Sequence, residues 1–195
     1  DTSAAMFDVA PIFLTAKKPL VSPSSTSGDV TRAFAGSRFV WRTTSSDIGQ
    51  LRVMLAHLAE RQVSDVALLT TLDAYGSTFF DWFGFLTTEL GMDVTDSVRM
   101  DPGSDCADAV TKLAASRPEV IVAVPSERAT AVCVAREMQS QPDIDLLFSD
   151  GALFPALIDE LGPQANGLTG VGLAPDPTAG FAEAYALDTG YRVAH

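Results

Sequence analysis

Asp65-Val66-Ala67-Leu68-Leu69-Thr70-Thr71-Leu72-Asp73-Ala74-Tyr75-Gly76 decides the fold. An apolar run stops at a polar turn carrying Tyr-Gly, and an amphipathic segment from Ser77 to Leu90 follows, closed by Gly91. The run reads as a strand, the turn as a loop and the segment as a helix, which together make one α/β unit. In open α/β sheets, ligands bind at the loops beyond the carboxyl ends of strands. This loop offers an aromatic ring, hydroxyls, a carboxylate and a glycine. Such groups hold a small polar molecule but have no evident means to transform one.

Outward from this unit the same alternation repeats. Towards the N-terminus, residues 3–16 read as a helix with Ser3 as its cap, and Pro11 predicts a kink or break. Pro19 to Ser22 is a short buried strand, and Ser22-Pro23-Ser24-Ser25-Thr26-Ser27 is a loop by composition. A short helix over 29–34 and a strand over 38–43 follow. Ser46-Asp47 then caps a helix over 48–62, whose Ile48, Leu51, Met54, Leu55 and Leu58 form one buried face. Towards the C-terminus, strands fall within 92–100, at 119–124, at 146–148 and at 167–173. Helices are expected from Asp105 to Ser116 and over 127–139, 152–161 and 179–187, and Pro175-Asp176-Pro177 reads as a linker. Glu119-Val120-Ile121-Val122-Ala123-Val124 is the clearest strand, and its unbroken apolar run indicates a parallel strand covered on both faces. The aromatics of the 77–90 helix (Phe79, Phe80, Trp82, Phe83 and Phe85) read as core packing rather than a base-stacking platform. The order implies an α/β fold with a mostly parallel sheet and right-handed crossovers.

The net charge of −12 disfavours nucleic acid as a partner, because an acidic surface repels phosphates. No apolar stretch reaches the roughly 20 residues that span a bilayer. The chain opens at Asp1 without a signal-peptide pattern, which reads as a processed or trimmed product. Cys106 and Cys133 match no zinc or redox spacing, and the expectation is two buried small apolar side chains rather than a disulfide. His57 is expected to face solvent, and His195 is terminal, so no metal site is expected. No Gly-x-Ser-x-Gly elbow, P-loop or Gly-x-Gly-x-x-Gly fingerprint occurs. No cofactor and no catalysis are therefore expected.

Several segments, taken in order, resemble one family. They are Pro19 to Ser27; Phe39-Val40-Trp41-Arg42-Thr43 with Ser46-Asp47; Asp73-Ala74-Tyr75-Gly76; Asp101-Pro102-Gly103-Ser104-Asp105; and Asp176-Pro177 with Phe181 and Tyr185. The family is the type I periplasmic binding proteins, in the branched-chain amino-acid receptor branch. The resemblance implies a two-lobed fold of parallel sheets flanked by helices, with a ligand held between the lobes. By analogy residues 1–62 form part of a first lobe, 63–175 a second, nearly complete lobe, and 176–195 return to the first. Relatives carry further chain on both sides, so the resemblance also implies a fold truncated at both termini.

The same resemblance assigns ligand contacts. Ser3 matches a helix-start hydroxyl that receives the ligand carboxylate. Ser24, Ser25 and Thr26 match the loop that binds carboxylate and amino groups. Tyr75 matches the covering aromatic, and Asp150 an acid that pairs an ammonium group. Ser126 follows the best strand and joins them with less warrant. Each has a plainer reading: Ser3 as a helix cap, the serine cluster as a turn, Tyr75 as a rim residue and Asp150-Gly151 as a turn pair. The hydroxyls of Ser24, Ser25, Ser126 and Ser149 favour a polar or aromatic carboxylate over leucine or isoleucine. The implied function is a solute receptor of an ABC-type uptake system, partnered by a membrane permease and sited in the periplasm or anchored outside the cell. A sensor of the same fold, or an α/β hydrolase or transferase, are the alternatives.

Overall fold

Val66-Ala67-Leu68-Leu69-Thr70 and Val120-Ile121-Val122-Ala123-Val124 lie side by side in parallel register at the heart of a five-stranded sheet. The structure is a computed structural model that describes residues 2–172 and 180. The expected linker at 175–177, the helix over 179–187 (residue 180 apart), the return segment 176–195, Phe181, Tyr185 and His195 lie outside the described residues.

Along the chain the elements are α1 (Ser3–Thr15), β1 (Leu20–Ser22), α2 (Gly28–Phe34), β2 (Val40–Arg42), α3 (Asp47–Glu60), β3 (Asp65–Thr71) and α4 (Ala74–Glu89). There follow β4 (Asp93–Met100), α5 (Ala107–Ala115), β5 (Val120–Val124), α6 (Arg128–Glu137), β6 (Asp145–Phe148), α7 (Pro155–Leu161) and β7 (Thr169–Gly170). Strands β1 and β2 pair in parallel as a small sheet, and the large sheet is ordered β4-β3-β5-β6-β7, parallel throughout.

Alternation along the central strands divides the core. Ala67, Leu69, Ile121, Ala123 and Phe148 point to the side covered by α5, α6 and α7. Val66, Leu68, Val120, Val122 and Leu147 point to the opposite side, against α3 and α4. The α3 face anticipated from periodicity is buried at Leu51, Met54, Leu55 and Leu58, and joins that second cluster. Packing therefore continues across residues 62–63. Phe79 and Phe83 of α4 are core residues as expected, but Phe80 and Phe85 are exposed, with Arg99 stacked over Phe80. The edge strand β4 carries Asp93, Asp96 and Arg99, charges that suit an unpaired edge.

Several local expectations change. The N-cap of α1 is Thr2, whose hydroxyl accepts from the Ala5 amide, so Ser3 is the first helical residue. Pro11 does not break α1. Proline forfeits a single ladder bond there, while Met6, Ala10 and Leu14 seat one helix face on the same small cluster. Only one face of β1 is covered: Val21 is exposed, and so is its cross-strand partner Trp41. Strand β7 is two residues long, shorter than expected. Gly91 stops α4 with positive φ as anticipated, but Lys17, Gln62 and Arg117 take the same left-handed position after α1, α3 and α5 without a glycine to signal it.

The cysteines correct the sequence reading. Cys106 and Cys133 form a disulfide with their Cα atoms 6.0 Å apart. Cys106 sits just before α5 and Cys133 within α6, and these helices pack together on one face of the sheet. That adjacency is a product of the crossovers and has no signature in a spacing of 27 residues. Asp105 lies beside both sulfurs, but the disulfide occupies them, so no thiolate metal site exists there.

Removing the bridge by Cys106→Ser with Cys133→Ser is expected to cost about 3.5 kcal/mol, the loop-entropy value for a ring of this size. Urea unfolding with and without reductant should show the same loss in the wild type and none in the double variant.

Candidate functional site

The strand order places the topological switch of the large sheet between β3 and β5, since the chain leaves β3 for β4 on one side and later strands build on the other. Loops at such a switch diverge and leave a crevice at the strands' carboxyl ends. There a cavity of about 310 Å³ is lined by Thr2, Ser3, Ser24, Thr26, Tyr75, Ser126, Asp150, Gly151 and Phe154. Six of the seven anticipated residues thus meet at one hollow: Ser3, Ser24, Thr26, Tyr75, Ser126 and Asp150. Ser25 lies behind it, fully buried, its hydroxyl donating to the Thr2 carbonyl at 3.3 Å.

One wall is built from α1 and the serine loop between β1 and α2. Ser22 Oγ accepts the Ser25 amide at 3.0 Å and the Ser24 amide at 3.4 Å, which curls the loop. Ser3 Oγ accepts the Ser27 amide at 3.1 Å, tying the loop to the start of α1. From below, Arg42 Nη1 donates to three successive carbonyls, Ser25 at 3.3 Å, Thr26 at 2.7 Å and Ser27 at 2.9 Å. With those carbonyls drawn to one cation, Ser24 and Thr26 remain on the cavity side. Periodicity singled out Arg42 for no role, because this function needs the loop folded over it.

The facing wall is held by the Tyr75 hydroxyl. It lies 2.5 Å from Asp150 Oδ1 and 2.9 Å from Ser149 Oγ, and accepts the Gly151 amide at 3.2 Å. A phenol has one proton, and the carboxylate is the stronger acceptor, so Tyr75 donates to Asp150 and receives from Ser149 and Gly151. Burial, then the Asp150 charge and hydrogen bond, push the phenol well above its ordinary range, so it stays a donor. The ring packs edge-on against Phe79 at 5.1 Å. Two glycines permit the approach. A Cβ on Gly76 would lie 2.1 Å from the Thr71 carbonyl oxygen, and one on Gly151 would lie 1.9 Å from that of Pro125. The two walls touch through Ser27 Oγ and Thr78 Oγ1, buried and 2.8 Å apart.

Among the described residues whose buried polar atoms lack partners, two bear on the cavity. Ser126 lines the cavity, and its buried Oγ has no hydrogen-bond partner among the described residues. Asp47, the first residue of α3, is 1% exposed, and neither carboxylate oxygen is hydrogen-bonded. Burial is the main cause that raises its pKa from 3.8 to about 7, with the Asp150 and Asp73 charges adding to it and Thr26 and Arg42 opposing.

The arrangement can seize and orient a small polar molecule. Hydroxyls and a helix start suit an anionic group on one wall, and a carboxylate on the other suits a cation. Among the described residues, no nucleophile–base pair lines the cavity.

A family model described as periplasmic binding protein matches residues 1–190. No curated protein matches closely enough to count as a relative. Among solved structures, the chain is similar to the leucine-binding protein LivK of Thermotoga maritima, with 25% identity and TM-score 0.79 over 95% of this chain and 55% of that one. It is also similar to a solute-binding protein of an ABC transporter from Rhodopseudomonas palustris, solved with 3,4-dihydroxybenzoic acid, with 18% identity, TM-score 0.76 and coverage of 98% and 54%. A third is a branched-chain amino-acid ABC transporter protein, so named provisionally, from Rhodospirillum rubrum, with 18% identity, TM-score 0.71 and coverage of 98% and 56%. The chain spans about half the length of these structures.

The buried carboxylate gives stability a pH signature. Asp47 has a folded pKa above its unfolded one, so its contribution is complete below pH 3.8 and is lost as pH rises through about 7. Asp47→Asn removes the titration. The variant should gain on the wild type by up to about 4 kcal/mol between pH 4 and pH 8. Denaturation curves at both pH values check this, and a constant difference would contradict it.

Gly151→Ala is expected to displace the 149–151 turn and cost at least about 2 kcal/mol through overpacking against backbone. Urea midpoints of the two proteins measure it.

Proposed function

Because the chain belongs to the periplasmic binding protein family, we propose that it is the extracytoplasmic solute-binding component of an ABC-type uptake system. It holds a small carboxylate-bearing molecule, an amino acid or a related acid, and delivers it to a membrane permease. The single observation that carries this reading is the convergence of Ser3, Ser24 and Thr26 with Tyr75, Ser126 and Asp150 on one cavity. Its volume of about 310 Å³ lies at the small end of ligand pockets and suits an amino-acid-sized guest.

In this reading the ligand carboxylate sits against the serine loop and the start of α1, where amide dipoles and hydroxyls favour negative charge. Ser25 acts from behind, through backbone shape. Asp150 keeps one oxygen on Tyr75 and offers the other to an ammonium group. Phe154 supplies the apolar flank. The hydroxyl-rich lining favours a polar or aromatic acid over a purely aliphatic one, although the Thermotoga maritima relative is described as leucine-binding. The wall bearing β1 and β2 and the wall bearing the large sheet are read as parts of two lobes, 1–62 with 176–195 and 63–175. An extracytoplasmic site agrees with the Cys106–Cys133 disulfide, since such bonds persist in oxidising compartments. Among the described residues no helix is long and apolar enough to cross a membrane.

A thermal-shift panel on the full-length protein, comprising L-leucine, L-phenylalanine and 4-hydroxybenzoate, tests this. At least one carboxylate should raise the melting temperature. By calorimetry, Asp150→Ala should weaken an amino acid about 30-fold or more, because it strips the ammonium of its partner. The same change should leave 4-hydroxybenzoate within a few-fold. A panel without any shift defeats the receptor reading, and an amino acid bound equally well by the variant defeats the role of Asp150.

A further inference from the structure

Among the described residues, Asp47 is the buried carboxylate whose two oxygens both lack a partner. Its amide donates to the Thr26 carbonyl at 3.1 Å, so the start of α3 and the serine loop are joined at this point. The Thr26 hydroxyl bears on the carboxylate from the loop, yet stands outside hydrogen-bond geometry. Thr26 also lines the cavity. It therefore stands between a buried acid and the ligand space.

The charges that face Asp47 come from three other elements. They are Arg42 of β2, Asp150 of the turn after β6, and Asp73 at the cap of α4, and the Tyr75 phenol of α4, held protonated by burial, also feels the Asp47 charge. Two of the three are negative. The cation is committed to the carbonyls of Ser25, Thr26 and Ser27 and makes no hydrogen bond to the carboxylate. Nothing here fully compensates an ionised Asp47.

A threonine hydroxyl has one proton to give. An ionised carboxylate only accepts, so it draws that proton inward and away from the cavity. A protonated carboxyl is itself a donor, and it can donate to Thr26 Oγ1, which frees the Thr26 proton for an acceptor in the cavity. Arg42 holds the loop backbone, so the exchange needs the two side chains to close to hydrogen-bond distance and the hydroxyl to rotate, with the course of the loop unchanged.

We propose that Asp47 and Thr26 form a proton-controlled donor switch, in which protonated Asp47 turns Thr26 outward to donate to a ligand carboxylate. This rests on the carboxylate-binding reading given above. The proton enters from solvent and stays on Asp47, so binding takes up as much as one proton and no other covalent bond changes. Asp47 is a positioning residue that acts through Thr26. With its pKa near 7, the competent form falls from about nine-tenths at pH 6 to about one-tenth at pH 8. Apparent affinity for an anionic ligand falls about tenfold over that interval.

Two measurements on the full-length protein test the switch. Carbon-13 NMR follows the Asp47 carboxyl without ligand, in the wild type and in Thr26→Val. The midpoint should lie near neutrality and rise further in the variant, which has lost the donor. A midpoint in the ordinary carboxylate range, or one unmoved by Thr26→Val, overturns the proposal. Calorimetry with 4-hydroxybenzoate at pH 6 and pH 8, in two buffers of different protonation enthalpy, should show the tenfold loss and net proton uptake. Asp47→Asn, whose amide is a permanent donor, should bind with little dependence on pH. A flat wild-type profile, or an unchanged slope in Asp47→Asn, overturns the coupling. If neither 4-hydroxybenzoate nor L-leucine binds at any pH, the receptor reading and the ligand coupling fall together, and the titration alone judges the Asp47–Thr26 exchange.

Discussion

One phenolic oxygen sets the shape of the cavity. Tyr75 leaves the first turn of α4 and meets the turn after β6, where it engages Ser149, Asp150 and the Gly151 amide together. These residues belong to separate β-α units and share no local contact in the chain. Their meeting requires β3, β5 and β6 in the order and register of the parallel sheet. It also requires bare backbone at Gly76 and Gly151, where any side chain would strike a carbonyl. The sheet therefore acts as a ruler for the site. Its apolar strands are fixed by burial on both faces, and their polar ends inherit that precision.

The opposite wall is held by different physics. The serine loop has little apolar content and is shaped by hydrogen bonds to Ser3, Ser22 and Arg42. Each such bond contributes on the order of 1 kcal/mol net, and those to a charged group more. Arg42 at the centre of three carbonyls replaces the regular structure that the loop lacks. Among the described residues, the buried Ser27–Thr78 pair and contacts of α1 and α2 with α4 connect the two walls directly. A polar seam between two separately built walls is what a site that admits a guest needs. The burial of Asp47 beside that seam is costly in the charged form, which links the seam to proton concentration.

Much of the α/β framework is legible in the sequence. Apolar runs at 66–70 and 120–124 and the three- and four-residue spacing of Leu51, Met54, Leu55 and Leu58 report burial directly, because local periodicity must match the face that packs. The misreadings have specific causes. Pro11 sits inside α1 because one lost bond is outweighed by a helix face anchored on its cluster. Phe80 and Phe85 are exposed because α4 has one buried face and six aromatics. Lys17, Gln62 and Arg117 close helices in a conformation that usually announces itself as glycine. The disulfide was hidden because its partners are neighbours only through α5 and α6.

From sequence alone came the alternation of strand and helix, the parallel sheet it demands, the acidic surface, and the loops from which ligand contacts could arise. Those properties depend on neighbours within a few residues, where periodicity, capping and turn chemistry act. Tertiary structure alone decided that Tyr75 would grip the Asp150 turn, that Arg42 would gather the serine-loop carbonyls, and that Cys106 would meet Cys133. It also decided that Asp47, which reads in sequence as part of a helix cap, would lie buried without a partner behind Thr26. Each of these depends on residues that are remote in the chain and adjacent only after the crossovers close, and distance along a sequence carries no measure of distance across a fold.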